Sequence, residues 1–210
     1  DEVGFNTIQP KDPLDFLPPL KVHKEFDTEG QAYLIDRHTL DMVSKRNRDI
    51  SSARSFINEH LSGSHYSERL GAIFQPEGIG FSRYQAGGRA GTVAKAFKEL
   101  PKESQTLVRR AVRDATQAAL KDLGVHEQVV VFRASDPNPD LALTPVTLSR
   151  EFATEATRFT DPSRGNKITA HTINRTDIVA SVQHLKHRGE QFQGEFELLV
   201  PRKVLEKRPS

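Results

Sequence analysis

The chain has no cysteine, which rules out disulfides, thiolate nucleophiles and cysteine-ligated zinc. It also lacks a long hydrophobic run. The longest is of the Val129–Phe132 kind, far short of the roughly 20 residues a membrane helix requires, so a membrane span is excluded. A surplus of one charge is missing as well: 30 basic side chains stand against 28 acidic ones, a net +2. The balance holds along the chain, with 18 basic and 17 acidic groups over residues 1–124 and 12 and 11 over residues 125–210. Nucleic-acid binders usually carry a lopsided basic face or tail, so no nucleic-acid partner is expected. The eight histidines include His171, His184 and His187, but no H-E-x-x-H or comparable ligand spacing occurs, and no metal is expected. Nor do the first residues, from Asp1, show a basic or apolar leader pattern. The chain is therefore expected to be a fragment or processed form from which any targeting segment has been lost.

What is present suits a soluble domain. At 210 residues, 36% hydrophobic and 28% charged, with a mean hydropathy of −0.57, the chain can bury one generous core. Residues 1 to 25 carry Pro10, Pro13, Pro18 and Pro19 without periodicity and are expected to form an extended arm, which Phe16, Leu17 and Leu20 pin to the body. Apolar residues between Gln31 and Leu61 recur at three- and four-residue steps, which predicts two helices with a break near Asn47 to Asp49. Phe74 to Val93 holds six glycines or prolines and is expected to be largely loop. Its Gly87-Gly88-Arg89-Ala90-Gly91 lacks the preceding strand and the Gly-Lys-Ser/Thr ending of a phosphate cradle. Pro101 to Leu123 is the clearest helix, opened by proline, striped by Leu107, Val108, Ala111, Val112, Ala115, Ala118 and Ala119, and closed by Gly124.

After Gly124 the pattern turns to strands: Val129–Phe132 as a buried strand, Pro145–Ser149, Lys167–Ile173 and Gly194–Val200. A short helix over Arg150–Phe159 and a turn or short strand over Asp177–Ser181 fall between them. Helices first and strands later indicate an α+β domain, with an arm over 1–25 and one domain over 26–210, divided into a helical lobe (26–124) and a β core (125–210).

Three features of the strand region carry chemistry. Arg133 ends the first strand, where a guanidinium can grip phosphates by bidentate hydrogen bonds or simply face solvent. Thr147-Leu148-Ser149 puts two hydroxyls on one strand face, a pattern that also suits any half-buried strand. GEFELLVP sets Glu195 and Glu197 on one side of a strand and Phe196 on the other. Like charges that close raise each other's proton affinity, unless they merely guard a solvated strand end.

In this order, VFRAS around Arg133, PVTLSREFATEATRF around Thr147 and Ser149, and GEFELLVP around Glu195 and Glu197 resemble the signature of mono-ADP-ribosyltransferases of the cholera-toxin-like, arginine-serine-glutamate class. ITAHTINRTDIVAS resembles the family's strand and the turn before its substrate-recognition loop, so the likeness runs from Val129 to about Lys207.

The resemblance implies an ADP-ribosyltransferase-like fold: a helical N-terminal lobe followed by a mixed or antiparallel β-sandwich core with a central cleft for NAD, which is the substrate. It implies that Glu197 stabilises the cation formed as nicotinamide leaves, that Glu195 orients the acceptor and takes its proton, and that the acceptor is a protein arginine. It further implies that Arg133 binds the NAD phosphates or ribose, that Thr147 steadies Glu197, and that Ser149 supports the site from behind. Phe192 and Gln193, in HLKHRGEQFQ, would meet the target protein. Arg158, Arg164 and Lys167 flank a turn from which they would reach the diphosphate or stay in solvent. A monomeric bacterial toxin or effector, secreted or delivered into a host cell and acting on a host protein, is the expected setting.

The same residues allow NAD hydrolysis with water as acceptor. A binding module that keeps the fold with an altered or inactive site is the alternative, favoured by the short link of 14 positions between Arg133 and Thr147 and by Leu148 at the centre of the triplet. A nucleic-acid-binding helical protein would need the basic residues of Pro101–Leu123, which Glu103, Asp114 and Asp122 dilute.

Overall fold

The computed structural model describes residues 10–20, 37–61, 66–74, 89–134, 143–156, 167–182, 185 and 197–206. Among these, helices come first: α1 (Arg37–His60), α2 (Tyr66–Phe74), α3 (Arg89–Glu99) and α4 (Lys102–Asp122). Strands β1 (Gln128–Arg133) and β2 (Leu143–Thr147) follow, then α5 (Arg150–Ala156), β3 (Thr169–Asn174), β4 (Ala180–Ser181), β5 (Glu197–Pro201) and the single turn α6 (Arg202–Leu205). The architecture is α+β with an antiparallel sheet. None of these helices is long and apolar enough to cross a membrane.

Helix α4 is the axis of the structure, and its sequence explains both ends. Pro101 stands at its N-cap with no N–H to leave unsatisfied. Val108, Ala111, Val112, Ala115, Ala119 and Leu120 form a stripe with no solvent exposure. At the far end Gly124 takes the left-handed conformation (φ +72°). Its N–H donates to the Lys121 carbonyl at 2.9 Å, and the Val125 N–H donates to the Leu120 carbonyl at 3.0 Å. These are the two bonds of a Schellman cap, completed by the packing of Val125 in the same cluster as Leu120.

Two expectations about the helices are corrected. The break near Asn47 to Asp49 is absent, and α1 runs unbroken for 24 residues. Asp49 is buried against α4, where its Oδ1 accepts the Ser104 hydroxyl at 3.4 Å, and this tertiary partner offsets the weak helix propensity of the Asn-Arg-Asp stretch. The expected loop over Phe74–Val93 is helical at both ends, since α2 reaches Phe74 and α3 starts at Arg89. Gly91 in the first turn of α3 costs the helix about 1 kcal/mol relative to alanine, a loss offset by burial of Val93 and Phe97. Gly87 and Gly88 lie outside the described residues.

The proline-rich arm is not simply extended. Pro13–Phe16 forms a 3-10 helix whose first turn is capped by Asp12 Oδ1, accepting the Leu14 N–H at 3.0 Å. Pro13 and Leu17 are buried and Phe16 is partly so, but Leu20, expected as a third anchor, is 45% exposed. Lys11 pairs with Asp122 at the end of α4 and bridges to Leu185.

The strands form one five-stranded sheet in the order β3-β1-β2-β5-β4, where a sandwich was expected. All neighbours are antiparallel. The sheet is nearly two ladders. β3 and β1 pair through six residues each, β2 and β5 through five, and the halves join at a single register pair, Phe132 with Thr147. One face, carrying Leu143 and Leu199, packs on the helices with Phe56, Ile73, Phe97 and Val112. The other, carrying Val131, Val146, Leu198 and Val200, closes over Leu120, Ile178 and Leu205. The Val129–Phe132 run is therefore not buried on both faces: Val131 is fully covered, whereas Val130 is 46% exposed.

Candidate functional site

Where β2 ends, two hydroxyls turn the chain from strand to helix. Thr147 Oγ1 accepts the Ser149 N–H at 3.1 Å. Ser149 Oγ then accepts the Phe152 N–H at 3.1 Å and donates to Glu151 Oε2 at 3.2 Å. The first is a local side-chain turn and the second an N-cap, which is why hydroxyl residues spaced two apart stand at this junction. Leu148 between them points away and packs against the core of the opposite sheet face.

Across the next ladder Thr147 is the Cα partner of Glu197. Directly opposed residues of an antiparallel pair share a face and hold their Cβ atoms about 5 Å apart. Thr147 is buried and Glu197 half-buried. Both lie on the face whose Leu143 and Leu199 pack against the helices. The Glu197 carbonyl accepts the Val182 N–H at 3.0 Å, which ties this end of β5 to the β4 side.

On the other side of Thr147 the partner is Phe132, not Arg133. Arg133 is the partner of Thr169 on β3, and the pleat turns it to the reverse face. There its Nη1 donates to the Pro145 carbonyl at 2.7 Å. The guanidinium thus satisfies the carbonyl of a residue that, as proline, has no N–H to contribute to a ladder. On this same face stands His171, whose Nε2 lies 3.2 Å from Thr169 Oγ1. Burial holds the His171 pKa below its ordinary value, the Arg133 charge adds to that, and a hydrogen bond with the Leu205 backbone partly opposes it.

Of the residues singled out in the sequence, then, Thr147 and Glu197 are brought together and Ser149 lies at the adjoining helix cap, while Arg133 is one strand away on the other face. Glu195, Phe192 and Gln193, with Arg158 and Arg164, lie outside the described residues; Lys167 is exposed. Phe132 was missed. Period-two alternation says that only one of Phe132 and Arg133 can face Thr147, but the register that decides between them is not written in the strand itself. Among the described residues no three His, Asp or Glu side chains gather as a metal site.

Compared with protein-family models, with curated proteins and with solved structures, the chain finds no match in any of the three.

Proposed function

We propose that this chain is an NAD-dependent mono-ADP-ribosyltransferase with an ADP-ribosyltransferase-like fold, acting on a protein side chain, arginine in the first instance. The observation that carries the reading is the direct opposition of Thr147 and Glu197, with the arginine-bearing strand next in the sheet. Three segments that resemble one family's signature are dispersed over some 65 positions, yet they occupy adjacent central strands.

The chemistry follows from what a fixed carboxylate does best. The bond between the nicotinamide nitrogen and the ribose C1 breaks, the electron pair leaves with nicotinamide, and the ribose gains oxocarbenium character. Glu197 then faces a developing positive charge, an interaction stronger in the transition state than in the ground state. The acceptor nitrogen forms the new bond to C1, and its proton passes to the second carboxylate, Glu195. Two carboxylates also suit a guanidinium acceptor, which they can hold by paired hydrogen bonds. A secreted toxin or an effector delivered into a host cell is the setting such an activity fits, with a host protein as target.

The test is nicotinamide release from NAD, together with transfer of labelled ADP-ribose to proteins of a cell lysate. The expected result is release by the wild-type chain and a loss of about a hundredfold or more in Glu197→Ala, the scale of removing one preorganised charge-stabilising group. Label recovered on arginine supports the acceptor; equal release by the variant would falsify the role of Glu197. A second reading, a protein that keeps the fold and binds NAD without turnover, is favoured by the engagement of Arg133 on the reverse face. It predicts NAD binding with no nicotinamide released.

A further inference from the structure

We infer that β3 is a docking edge for a second copy of this chain, paired antiparallel, β3 to β3, about a twofold axis at Thr172, so that two five-stranded sheets join into one. The inference is independent of the transferase reading and replaces the monomer expected from the sequence.

The strand's position and hydrogen bonding leave this edge open. β3 ends the sheet, and among the described residues no strand lies on its outer side. Arg175 donates its N–H to the Glu127 carbonyl at 2.7 Å, one position beyond the Gln128–Asn174 pair. Bonded pairs alternate in an antiparallel ladder, so Ile173, His171 and Thr169 bond to β1, whereas Asn174, Thr172 and Ala170 turn their N–H and C=O groups outward. Asp177 Oδ2 takes the Asn174 N–H at 3.3 Å; among the described residues Thr172 and Ala170 have no such cap. The strand also lacks the devices that keep edges apart. Thr-Ala-His-Thr-Ile-Asn holds no proline, glycine, lysine or carboxylate, and half of it is β-branched. The outer face of the ladder, formed by Ala170, Thr172, Asn174, Gln128, Val130 and Phe132, carries no charge in a chain that is 28% charged. All of these but Phe132 are exposed, and depletion of charge marks the centre of protein interfaces.

The edge is complementary to itself. A pairing centred on Thr172 sets it against Thr172 of the second copy and sets Ala170 against Asn174 of the second copy. The two threonines exchange both of their backbone bonds, and each Ala170 N–H donates to the opposite Asn174 carbonyl, which leaves the bond between Asn174 and Asp177 intact. Charge selects the antiparallel sense. Lys167, exposed, precedes one end of the strand, and the Asp177 carboxylate caps the other. Each copy's positive end therefore meets the other's negative end, whereas a parallel pairing would set like ends together. The opposite edge of the sheet, β4, has two residues, both buried, so the contact closes as a dimer instead of propagating. Its few hydrogen bonds place it among weak, reversible interfaces.

The experiment is sedimentation equilibrium of the full chain over roughly 5–500 µM, where weak dimers form and dissociate. Wild type is expected to pass from monomer to dimer. Thr172→Lys sets like charges against each other at the axis and is expected to raise the dissociation constant at least about tenfold, with the urea midpoint little changed because Thr172 is exposed. Lys167→Glu is expected to raise it about threefold or more; no change there would refute the antiparallel pairing. Because the chain has no cysteine, Thr172→Cys carries a single thiol, and bonded partners with Cα atoms about 5.5 Å apart are within disulfide range. In oxidised glutathione this variant is expected to form a covalent dimer at least about tenfold faster than Lys121→Cys, whose thiol stands on the exposed side of α4. A wild type that stays monomeric throughout, or a Thr172→Cys that cross-links no faster than Lys121→Cys, overturns the inference, whether or not the chain releases nicotinamide.

Discussion

Thr147 and Glu197, separated by 50 positions in the chain, are Cα partners on the β2–β5 ladder. The Thr147 oxygen accepts the Ser149 N–H, and the proposed role of the hydroxyl is to donate its own proton to the Glu197 carboxylate on the partner strand. A hydroxyl that donates to a carboxylate contributes about 1.5–3 kcal/mol. Replacing Thr147 by valine, of the same shape without the donor, is expected to lower nicotinamide release by about tenfold or more, while Thr147→Ser retains most of it. Equal rates for the two variants would show that the hydroxyl serves only the local turn.

Ser149 has a different part. Its oxygen caps α5 by accepting the Phe152 N–H, and removal of a serine N-cap costs about 1 kcal/mol. Ser149→Ala is thus expected to lower the urea midpoint by the equivalent of that amount and to affect KM little. Ser149→Asp, which can also cap, is expected to keep the stability. A stability unchanged in Ser149→Ala would mean that the cap does not hold α5 in solution.

These residues show how much of the fold was legible in the sequence. The α4 helix, its proline start and its glycine stop are local events, each decided within a few residues, and they stand where the periodicity put them. The hydroxyl pair at the end of β2 was visible as chemistry, but its first use is conformational, because a T-x-S spacing serves a turn and a cap as readily as a pocket. What the chain could not disclose is set by partners far away in sequence. Asp49 reads as part of a helix break in the sequence, but its carboxylate accepts the Ser104 hydroxyl of α4, 55 positions away. Val130 looked buried until β1 proved to be covered on one face alone. Which of Arg133 and Phe132 shares a face with Thr147 is decided only by the single pair that locks β1 to β2.

Gly124 gives the cleanest stability test. It sits at φ +72°, yet a Cβ added there meets no atom within 4 Å. Any loss in Gly124→Ala is therefore conformational rather than steric crowding, and the left-handed region costs an L-residue about 1–2 kcal/mol. The variant is expected to lose about that much in urea unfolding, with unchanged nicotinamide release, because Gly124 lies in the turn between α4 and β1 and not on the β2–β5 ladder that holds Thr147 and Glu197. Gly124→Asn, better tolerated in that conformation, is expected to lose less.

His171 sets a pH dependence whose direction is fixed by its surroundings. Burial and the Arg133 charge lower its folded-state pKa below the ordinary 6.5, and the Leu205 backbone opposes them only in part; the Thr169 hydroxyl lies 3.2 Å from its Nε2. The unfolded chain therefore binds a proton at this residue over a range of pH in which the folded protein does not. Stability rises with pH wherever the unfolded state holds more protons, so this contribution is complete above about 6.5 and falls away as the solution is acidified through the interval between the two pKa values. Below the folded-state value both states are protonated and the curve levels off. Urea unfolding measured between pH 7.5 and pH 5 is expected to show this decline in wild type and a shallower one in His171→Gln, which cannot titrate. Arg133→Gln, by removing the neighbouring charge, is expected to move the midpoint of the imidazole titration upward when the His171 ring protons are followed by NMR. A midpoint that stays in place would mean that burial alone holds the ring neutral and that Arg133 is too well screened by solvent to matter.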